Sequence, residues 1–342
     1  MSNALVQLTL ARLREWVREP EALFWAFVFP IIISVILAVA FPSRGVRPVP
    51  VGLTAGPGAG AVRAALRAAA DISLRELRPE DEARALREGE VYVIVVPTRP
   101  PTYRFDPSRE ESRAARLLVD RALKRADGRP EPWTAHEEPV VVPGSRYVDW
   151  LIPGIIGLNV MSTGMWGIGF SVVQARLRKI LKRLVASPMR KRDYLLAQMF
   201  GRIVFLGPEV AIPLVFGATV LGMPINGSVA AIAVVSLVGG LSFTGLGLLT
   251  ASRPQTLEAI SGILNLTMLP MWVASGVFFS TTNFPDALQP IIQALPLTAL
   301  NDAFRAVILE GATLGTVAGE LLLLVVWGAV PFAIALRVFR WV

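Results

Sequence analysis

Long apolar runs alternate with short charged segments over most of the chain. Four runs contain no charged residue: Ala22–Phe41, Trp150–Val173, Ser228–Ser252 and Ala259–Phe284. In two further runs a single carboxylate interrupts the apolar residues: Glu209 in Ile203–Gly222 and Glu320 in Ala312–Leu336. A helix rises ~1.5 Å per residue, so about 20 residues cross a hydrocarbon core of ~30 Å. The pattern therefore predicts an α-helical membrane protein with six transmembrane helices.

The stretch 42–149, between the first two apolar runs, has the composition of a folded domain in water, with Arg, Asp, Glu and Pro in abundance. Alternating apolar residues predict strands at Val49–Thr54, Ile72–Leu77, Val91–Val96 and Tyr103–Phe105. Helical spacing predicts helices at Ala61–Ala70, Pro79–Glu88 and Ser108–Ala126. We expect a small α/β domain, joined to the second span by the proline-rich linker Gly128–Pro143. That linker contains His136, which we interpret as a solvated loop residue.

Lysine and arginine are distributed unequally around the apolar runs. They concentrate in the connection between the second and third runs: Arg176, Arg178, Lys179, Lys182, Arg183, Arg190, Lys191 and Arg192. Others lie in the N-terminal segment and at the C-terminus, whereas the short connections on the opposite side contain only Arg305. Since basic residues near span ends stay cytoplasmic, both termini are predicted to be cytoplasmic and 42–149 extracytoplasmic.

Two segments on the predicted cytoplasmic side are amphipathic. The first, within 1–21, has the apolar stripe Val6, Leu10, Leu13 and Val17. The second lies in the connection 174–192, where Leu177, Ile180, Leu181 and Leu184 follow helical spacing and basic residues occupy the other faces. Ser187 and Pro188 should end this helix, because proline lacks the amide proton and restricts the preceding residue. Such a helix either lies on anionic lipid head groups or inserts its apolar stripe into a groove of a soluble partner.

Composition narrows the possible functions. The chain is 53% apolar and 18% charged, with a mean hydropathy of +0.54, which excludes an ordinary soluble domain. Its net charge of +8 follows from the topology, so nucleic-acid binding is not expected. Without cysteine and with one histidine, thiolate and Cys/His metal sites are excluded. The sequence also has no GxxxxGK[ST] phosphate-binding loop and no GxSxG elbow, so we expect neither an enzyme nor a cofactor in this chain.

Polar groups within the apolar runs are further candidates for function. Glu209 lies deep in the third run, where a carboxylate costs about 3 kcal/mol. It is interpreted first as an interhelical hydrogen-bond or ion-pair partner, with Arg202 two helical turns away on its own face, and alternatively as a coupling-ion site. Small residues on the fourth run predict close helix packing: Gly240, Thr244, Gly247 and Ala251.

Proline interrupts the segment 284–311, which is half apolar and a poor crossing helix. Irregular backbone at membrane depth needs cover from protein or water, so we expect a re-entrant hairpin there, near the outer surface. Asp302 and Arg305, three residues apart, should pair on one helix face.

The whole chain resembles the membrane subunits of type-2 ATP-binding-cassette exporters. The resemblance is carried by LKRLVASPMRKRDYLLAQMFGR, at Leu181–Arg202, followed by three spans and LPLTALNDAFRAVILEG, at Leu295–Gly311. It implies that Arg176–Val185 is the coupling helix, and that Asp302 and Arg305 belong to an outer gate. The residues implied to contact the ATPase are Leu177, Arg178, Ile180, Leu181, Lys182, Leu184, Ser187 and Pro188. An acidic-Gly-Thr tripeptide frequent in that family is replaced here by Arg178, Lys179 and Ile180, which leaves the substrate class open.

The resemblance also implies partners. Two copies of the permease would enclose a pathway in a bacterial inner membrane, and a separate ABC ATPase subunit would carry ATP and magnesium. Two alternatives are a proton-coupled secondary transporter that uses Glu209 and a membrane-anchored receptor whose outer domain binds a ligand. The first predicts inverted repeats, which the two halves of the sequence do not show.

Overall fold

A computed structural model describes residues 14, 18, 20–40, 48–98, 100–107, 109–128, 146–186 and 191–340. The chain separates into two compact units, one formed by Arg44–Val140 and the other by Met1–Ser43 together with Val141–Val342. Most of the predicted N-terminal amphipathic helix lies outside the described residues, as do His136, Ser187 and Pro188.

The first apolar run forms helix α1, which comprises Pro20–Leu23, a π-helical turn at Phe24–Val28, and Phe29–Ala40. Pro30 explains the local geometry, since it has no amide proton to donate to the carbonyl of Ala26, four residues earlier. The side-chain amide of Asn159 donates to that carbonyl instead, at 2.7 Å. The apolar helical part, Phe24–Ala40, is shorter than the predicted span.

The smaller unit is a four-stranded sheet with helices packed against it. Its strands are β1 (Val49–Thr54), β2 (Ile72–Leu77), β3 (Val93–Val96) and β4 (Thr102–Phe105), in the order β2-β1-β3-β4. β1 is parallel to β2 and β3, and β4 is antiparallel to β3. The helices are α2 (Ala59–Ala68), α3 (Glu82–Glu88) and α4 (Glu110–Ala126). The predicted bounds of β1 and β2 are confirmed, and the predicted pairing of Tyr103–Phe105 with the third strand is also confirmed.

Apolar residues from β1, β3, α2 and α4 form the core of this unit, with Val51, Val93, Val95, Leu66 and Val119 fully buried. Tyr103 borders this core and hydrogen-bonds to Asp120. Burial, together with the Asp120 charge, raises the pKa of Tyr103 to about 12. The hydrogen bond from Lys124 lowers the pKa of Asp120. The phenol of Tyr103 therefore stays neutral over the physiological range.

The larger unit continues with eight α-helices in the described residues: α5 (Tyr147–Leu177), α6 (Ile180–Val185), α7 (Lys191–Thr219), α8 (Val229–Thr250), α9 (Leu257–Ala274), α10 (Gln289–Gln293), α11 (Pro296–Glu310) and α12 (Ala318–Val338). Of the described helices, α5, α7, α8, α9 and α12 are long and apolar enough to cross a membrane. The segments Asp286–Gln293 and Pro296–Glu310 form a pair bent by 83°, which would make a sixth span if it counts as one. The number of spans is therefore five or six.

Three predicted spans differ clearly from the observed helices. The third was expected to start at Ile203, but α7 starts at Lys191, in the charged segment before the apolar run. The fifth was expected to run to Phe284, but α9 ends at Ala274, and the chain then turns through Gly276 at φ +68°. The last was expected to start at Ala312, but α12 starts at Ala318. Uncharged loop residues flank α9 and α12, and hydropathy alone does not separate such residues from a span.

Small residues bring α8 into close contact with its neighbours. A Cβ atom added at Gly247 would lie 2.9 Å from the carbonyl oxygen of Gly164 in α5. A Cβ atom added at Gly245 would lie 2.4 Å from the carbonyl oxygen of Gly328 in α12. The predicted close packing of the fourth run is confirmed, and it occurs within this chain.

Glu82 provides a test of the smaller unit. Its buried carboxylate accepts a hydrogen bond from Thr54 at 2.8 Å and pairs with Arg104. Glu82→Ala should lower the free energy of unfolding by about 2 kcal/mol, because Thr54 would lose its buried partner. Hydrogen exchange of the β1 and β3 amides measures this in the intact chain. Glu80→Ala, at an exposed side chain, should change exchange little, and equal effects of the two variants would contradict the assignment.

Candidate functional site

The connection between α5 and α7 is a turn followed by a short helix. α5 ends at Leu177 and α6 begins at Ile180. Between them Lys179 adopts a left-handed conformation, with φ 58°, and it is the one non-glycine residue with positive φ in the described part of the chain. The prediction of one continuous amphipathic helix over Arg176–Val185 is therefore wrong. A left-handed residue redirects the chain, so Leu177 does not continue the stripe of α6.

Burial divides the predicted apolar stripe. Leu181 is fully buried in the main core of the larger unit, and Leu184 is half-buried against it. Leu177 and Ile180 are exposed, at 49% and 39%. The exposed basic residues beside them are Arg178, Lys179, Lys182 and Arg183. We call this exposed part, Leu177–Arg183 without Leu181, the basic turn.

Leu181 anchors α6, whereas the basic turn faces outward. The turn combines two exposed apolar side chains with four cations over a short stretch of chain. Such a surface suits a groove with an apolar floor and an acidic rim.

A buried ion pair joins Arg202 and Glu209 on α7, with Nη1 and Oε2 2.5 Å apart. Both side chains are almost completely buried. Arg202 also donates to the carbonyl of Val160 at 3.1 Å, and the Thr163 hydroxyl hydrogen-bonds to Oε1 of Glu209. The predicted ion pair is thus confirmed.

Sequence reasoning did not include Thr163 in this site. Thr163 is the first residue of a π-helical turn in α5, Thr163–Gly167, and its hydroxyl also lies 2.8 Å from the carbonyl of Asn159. π-Helical turns often occur at functional sites. Nothing in the hydropathy of Trp150–Val173 distinguishes this threonine from the other polar residues of the run.

Arg305 and Asp302 pair on α11 as predicted, with Nη1 and Oδ1 3.6 Å apart. Their environments differ, because Arg305 is buried and the Asp302 side chain is half-exposed. The Arg305 guanidinium lies 3.5 Å from the centre of the Trp150 ring and donates to the carbonyl of Gly276. Arg305 therefore joins α11 to the start of α5 and to the loop after α9. Its contacts to Trp150 and Gly276 were not predicted.

The described residues contain no group of three or more histidine, cysteine, aspartate or glutamate side chains placed to hold a metal ion. The polar sites of the larger unit described above are ion pairs and hydrogen bonds to carbonyls.

The sequence profile of ABC-2 family transporter proteins matches residues 20–337. The chain therefore belongs to the ABC-2 family of transporter proteins. This places the basic turn, the Arg202–Glu209 pair and the bent pair α10–α11 within the matched region.

Curated relatives agree with this assignment. The chain is 26% identical over 220 residues to the probable multidrug ABC transporter permease YbhR of Escherichia coli K12, which covers 63% of this chain and 59% of YbhR. It is 26% identical over 176 residues to ABC transporter G family member 20 of Dictyostelium discoideum, covering 50% of this chain and 24% of that protein. It is 23% identical over 174 residues to the inner membrane transport permease YhhJ of E. coli K12, covering 50% and 46%. Each match spans less than two thirds of the relative.

The Arg202–Glu209 pair gives a prediction that separates structure from ion binding. Arg202→Met should destabilise the chain by about 3 kcal/mol, because it leaves a buried carboxylate without its cation. Adding Glu209→Leu to Arg202→Met should restore most of the loss, since an apolar pair needs no compensation. Thermal unfolding in detergent measures both variants. A double variant as unstable as Arg202→Met would contradict a purely structural pair.

Proposed function

We propose that this chain is the permease subunit of an ATP-driven ABC exporter, coupled to a separate ATPase subunit through the basic turn. The observation that carries the proposal is an exposed apolar and basic surface at the α5–α7 connection of an ABC-2 family chain. The chain contains no phosphate-binding loop of the GxxxxGK[ST] type, so ATP and magnesium would be bound by the partner.

The contact would use the exposed residues of the basic turn. Leu177 and Ile180 would enter an apolar groove of the ATPase, while Arg178, Lys182 and their neighbours would meet acidic side chains at its rim. Leu181 would contribute indirectly, because its burial in the core of the larger unit holds α6 in place. Ser187 and Pro188 follow in the sequence and remain part of the proposed contact by resemblance alone.

Two copies of the chain would form the pathway. Apolar side chains cover the outer surfaces of several helices, and the most hydropathic stretch of α9 is only 22% buried within the chain. Leu266 at 78% exposure and Leu269 at 60% must therefore be covered by lipid tails or by a second copy. The family resemblance favours a homodimer in which the lipid bilayer covers the remaining apolar surface.

The proposed orientation places the basic turn and both termini in the cytoplasm and the smaller unit outside the inner membrane. Its support is the charge of the turn, where four exposed cations lie beside one another. Basic residues near span ends are retained on the cytoplasmic side.

The bent pair α10–α11 would then lie at the outer end of the pathway, with Asp302 and Arg305 in its gate. Arg305 is held by Trp150 and Gly276, so any movement of α11 would disturb contacts with α5. The half-exposed Asp302 is the partner that such a movement could release most easily.

An ATPase gene beside the gene for this chain would favour the exporter over a proton-coupled transporter that uses Glu209. In the exporter, Glu209 has a structural role that its contacts with Arg202 and Thr163 already explain. A receptor, by contrast, would bind a ligand through the smaller unit without needing an ATPase.

The coupling contact predicts the effect of two substitutions. Leu177→Asp combined with Ile180→Asp should weaken co-purification with the ATPase by about tenfold or more, because both apolar contacts are lost and two repelling charges are added. Since both side chains are exposed, the permease itself should remain folded. Leu117→Asp, at a residue 59% exposed in the smaller unit, is the matched control and should bind the ATPase normally. Undiminished co-purification of the double variant would exclude this contact.

The orientation can be tested because the chain has no cysteine. In intact cells a membrane-impermeant maleimide should label Leu117→Cys, in the smaller unit, and should not label Lys182→Cys, in the basic turn. Permeabilised cells should show labelling of both. Labelling of Lys182→Cys in intact cells would place the turn outside and overturn the proposed function.

A further inference from the structure

Arg176 is the residue directly before the basic turn, and its side chain points away from that turn into a cluster of backbone carbonyls. The guanidinium donates to four of them: Ala251 at 3.2 Å, Ser252 at 3.1 Å, Pro254, and Arg340 at 2.9 Å. It also lies 5.4 Å from the centre of the Phe339 ring, and that ring is buried. We call these contacts the Arg176 clamp.

The carbonyls in the clamp lie just beyond the ends of two other helices. Ala251 and Ser252 directly follow α8, which ends at Thr250, and Pro254 lies in the loop after it. Arg340 lies just beyond α12, which ends at Val338. Carbonyls at these positions have no partner within the hydrogen-bond ladder of the helix, so they need donors from elsewhere. A guanidinium, which is planar and has five N–H donors, can satisfy several such carbonyls at once.

The clamp joins three helix ends. A further hydrogen bond, from the amide of Arg340 to the carbonyl of Ser252 at 3.1 Å, links the ends of α8 and α12 directly. α8 also packs closely against α5 at Gly247 and against α12 at Gly245. The ends of α5, α8 and α12 are therefore joined to one another through Arg176.

The basic turn follows Arg176 directly in the chain. The amide of Arg178 donates to the carbonyl of Gln174 at 2.9 Å, and the amide of Lys179 donates to that of Arg176 at 3.0 Å. α6 begins at the next residue, Ile180. Only Leu177, Arg178 and Lys179 thus separate Arg176 from α6, and the amides of Arg178 and Lys179 are both hydrogen-bonded to α5.

We propose that Arg176 is the positioning residue that transmits movement of the basic turn to α8 and α12. This inference rests on the proposed function, in which an ATPase moves the turn. Without the clamp, the turn would still bind the ATPase through its exposed side chains, but its movement would bend the end of α5 alone. Loss of the clamp would then leave binding of the ATPase intact but stop its movement from reaching α8 and α12.

The same helix provides a matched control at its other end. Arg146, just before α5, donates to the carbonyls of Leu221 at 3.2 Å and Gly222 at 2.6 Å. Asp149 pairs with Arg146, and its hydrogen bond raises the pKa of Arg146. Arg146 also joins a helix end to a loop, but it lies at the opposite end of α5 from the basic turn.

The test needs no knowledge of the transported substrate. Asn283→Cys places a single thiol at an exposed residue of the loop before α10, in a chain without other cysteines. The complex with its ATPase, in lipid nanodiscs, is treated with a maleimide in ADP and in ATP plus vanadate. The ratio of the two labelling rates reports whether a nucleotide on the ATPase changes the distant loop. We measure it in the parent and with Arg176→Gln, Arg176→Lys or Arg146→Gln added.

We expect Arg176→Gln to retain the ATPase and to reduce the nucleotide effect on labelling by about fivefold or more. Arg176→Lys keeps the charge but offers three donors on one nitrogen instead of five on three, so it can satisfy fewer of the four carbonyls and should give an intermediate effect. Arg146→Gln should leave the effect within about twofold of the parent. A merely stabilising role would lower the melting temperature of both glutamine variants and leave the labelling ratio unchanged.

A ratio in Arg176→Gln equal to that of the parent would overturn the inference while leaving the proposed function intact. If Arg176→Gln does not fold, Arg176→Lys decides, and a parental ratio there would overturn the inference equally. A parent that binds no ATPase, or whose labelling does not respond to nucleotide, would instead refute the proposed function and the inference with it.

Discussion

A lipid bilayer offers no hydrogen bonds, so each backbone carbonyl or amide left unpaired within it needs a partner from the protein. This constraint explains the contacts that hold the larger unit together. Pro30 leaves the carbonyl of Ala26 unpaired, and the amide of Asn159, on another helix, donates to it. The interruption of α1 by Pro30 thereby leads to a hydrogen bond between α1 and α5.

Arginine meets the same need at helix ends. Arg176 binds carbonyls at the ends of α8 and α12, and Arg305 binds those of Gly276 and Trp150. Arg146 does so for the loop after α7. Because each guanidinium donates to at least two backbone carbonyls, its loss would leave several polar groups unpaired at once. Arg176 and Arg305, which indicated the topology in the sequence, therefore also join helices within the larger unit.

These arginine–carbonyl contacts also affect how a movement of the basic turn could spread through the larger unit. The basic turn is exposed, but Leu181 within the same stretch is buried, and Arg176 directly before it is bonded to carbonyls. A partner bound to the turn would therefore act on a segment that is connected to three helix ends. The ion pair between Arg202 and Glu209 lies deeper, where Thr163 connects it to the π-helical turn of α5. Both the Arg176 clamp and the Arg202–Glu209 pair therefore involve α5. Arg176 belongs to this helix, and Thr163, also in α5, hydrogen-bonds to Glu209.

Hydropathy and charge were sufficient to determine the membrane class, the positions of most helices, the strands of the smaller unit and the pairs Arg202–Glu209 and Asp302–Arg305. These features depend on residues near one another in sequence, or on periodicity that burial imposes on each element separately. The break at Lys179, the end of α9 at Ala274 and the partners of Arg176 and Arg305 were decided only by the tertiary structure. Backbone carbonyls look alike in every sequence, and which of them an arginine reaches depends on which helix ends the fold brings together.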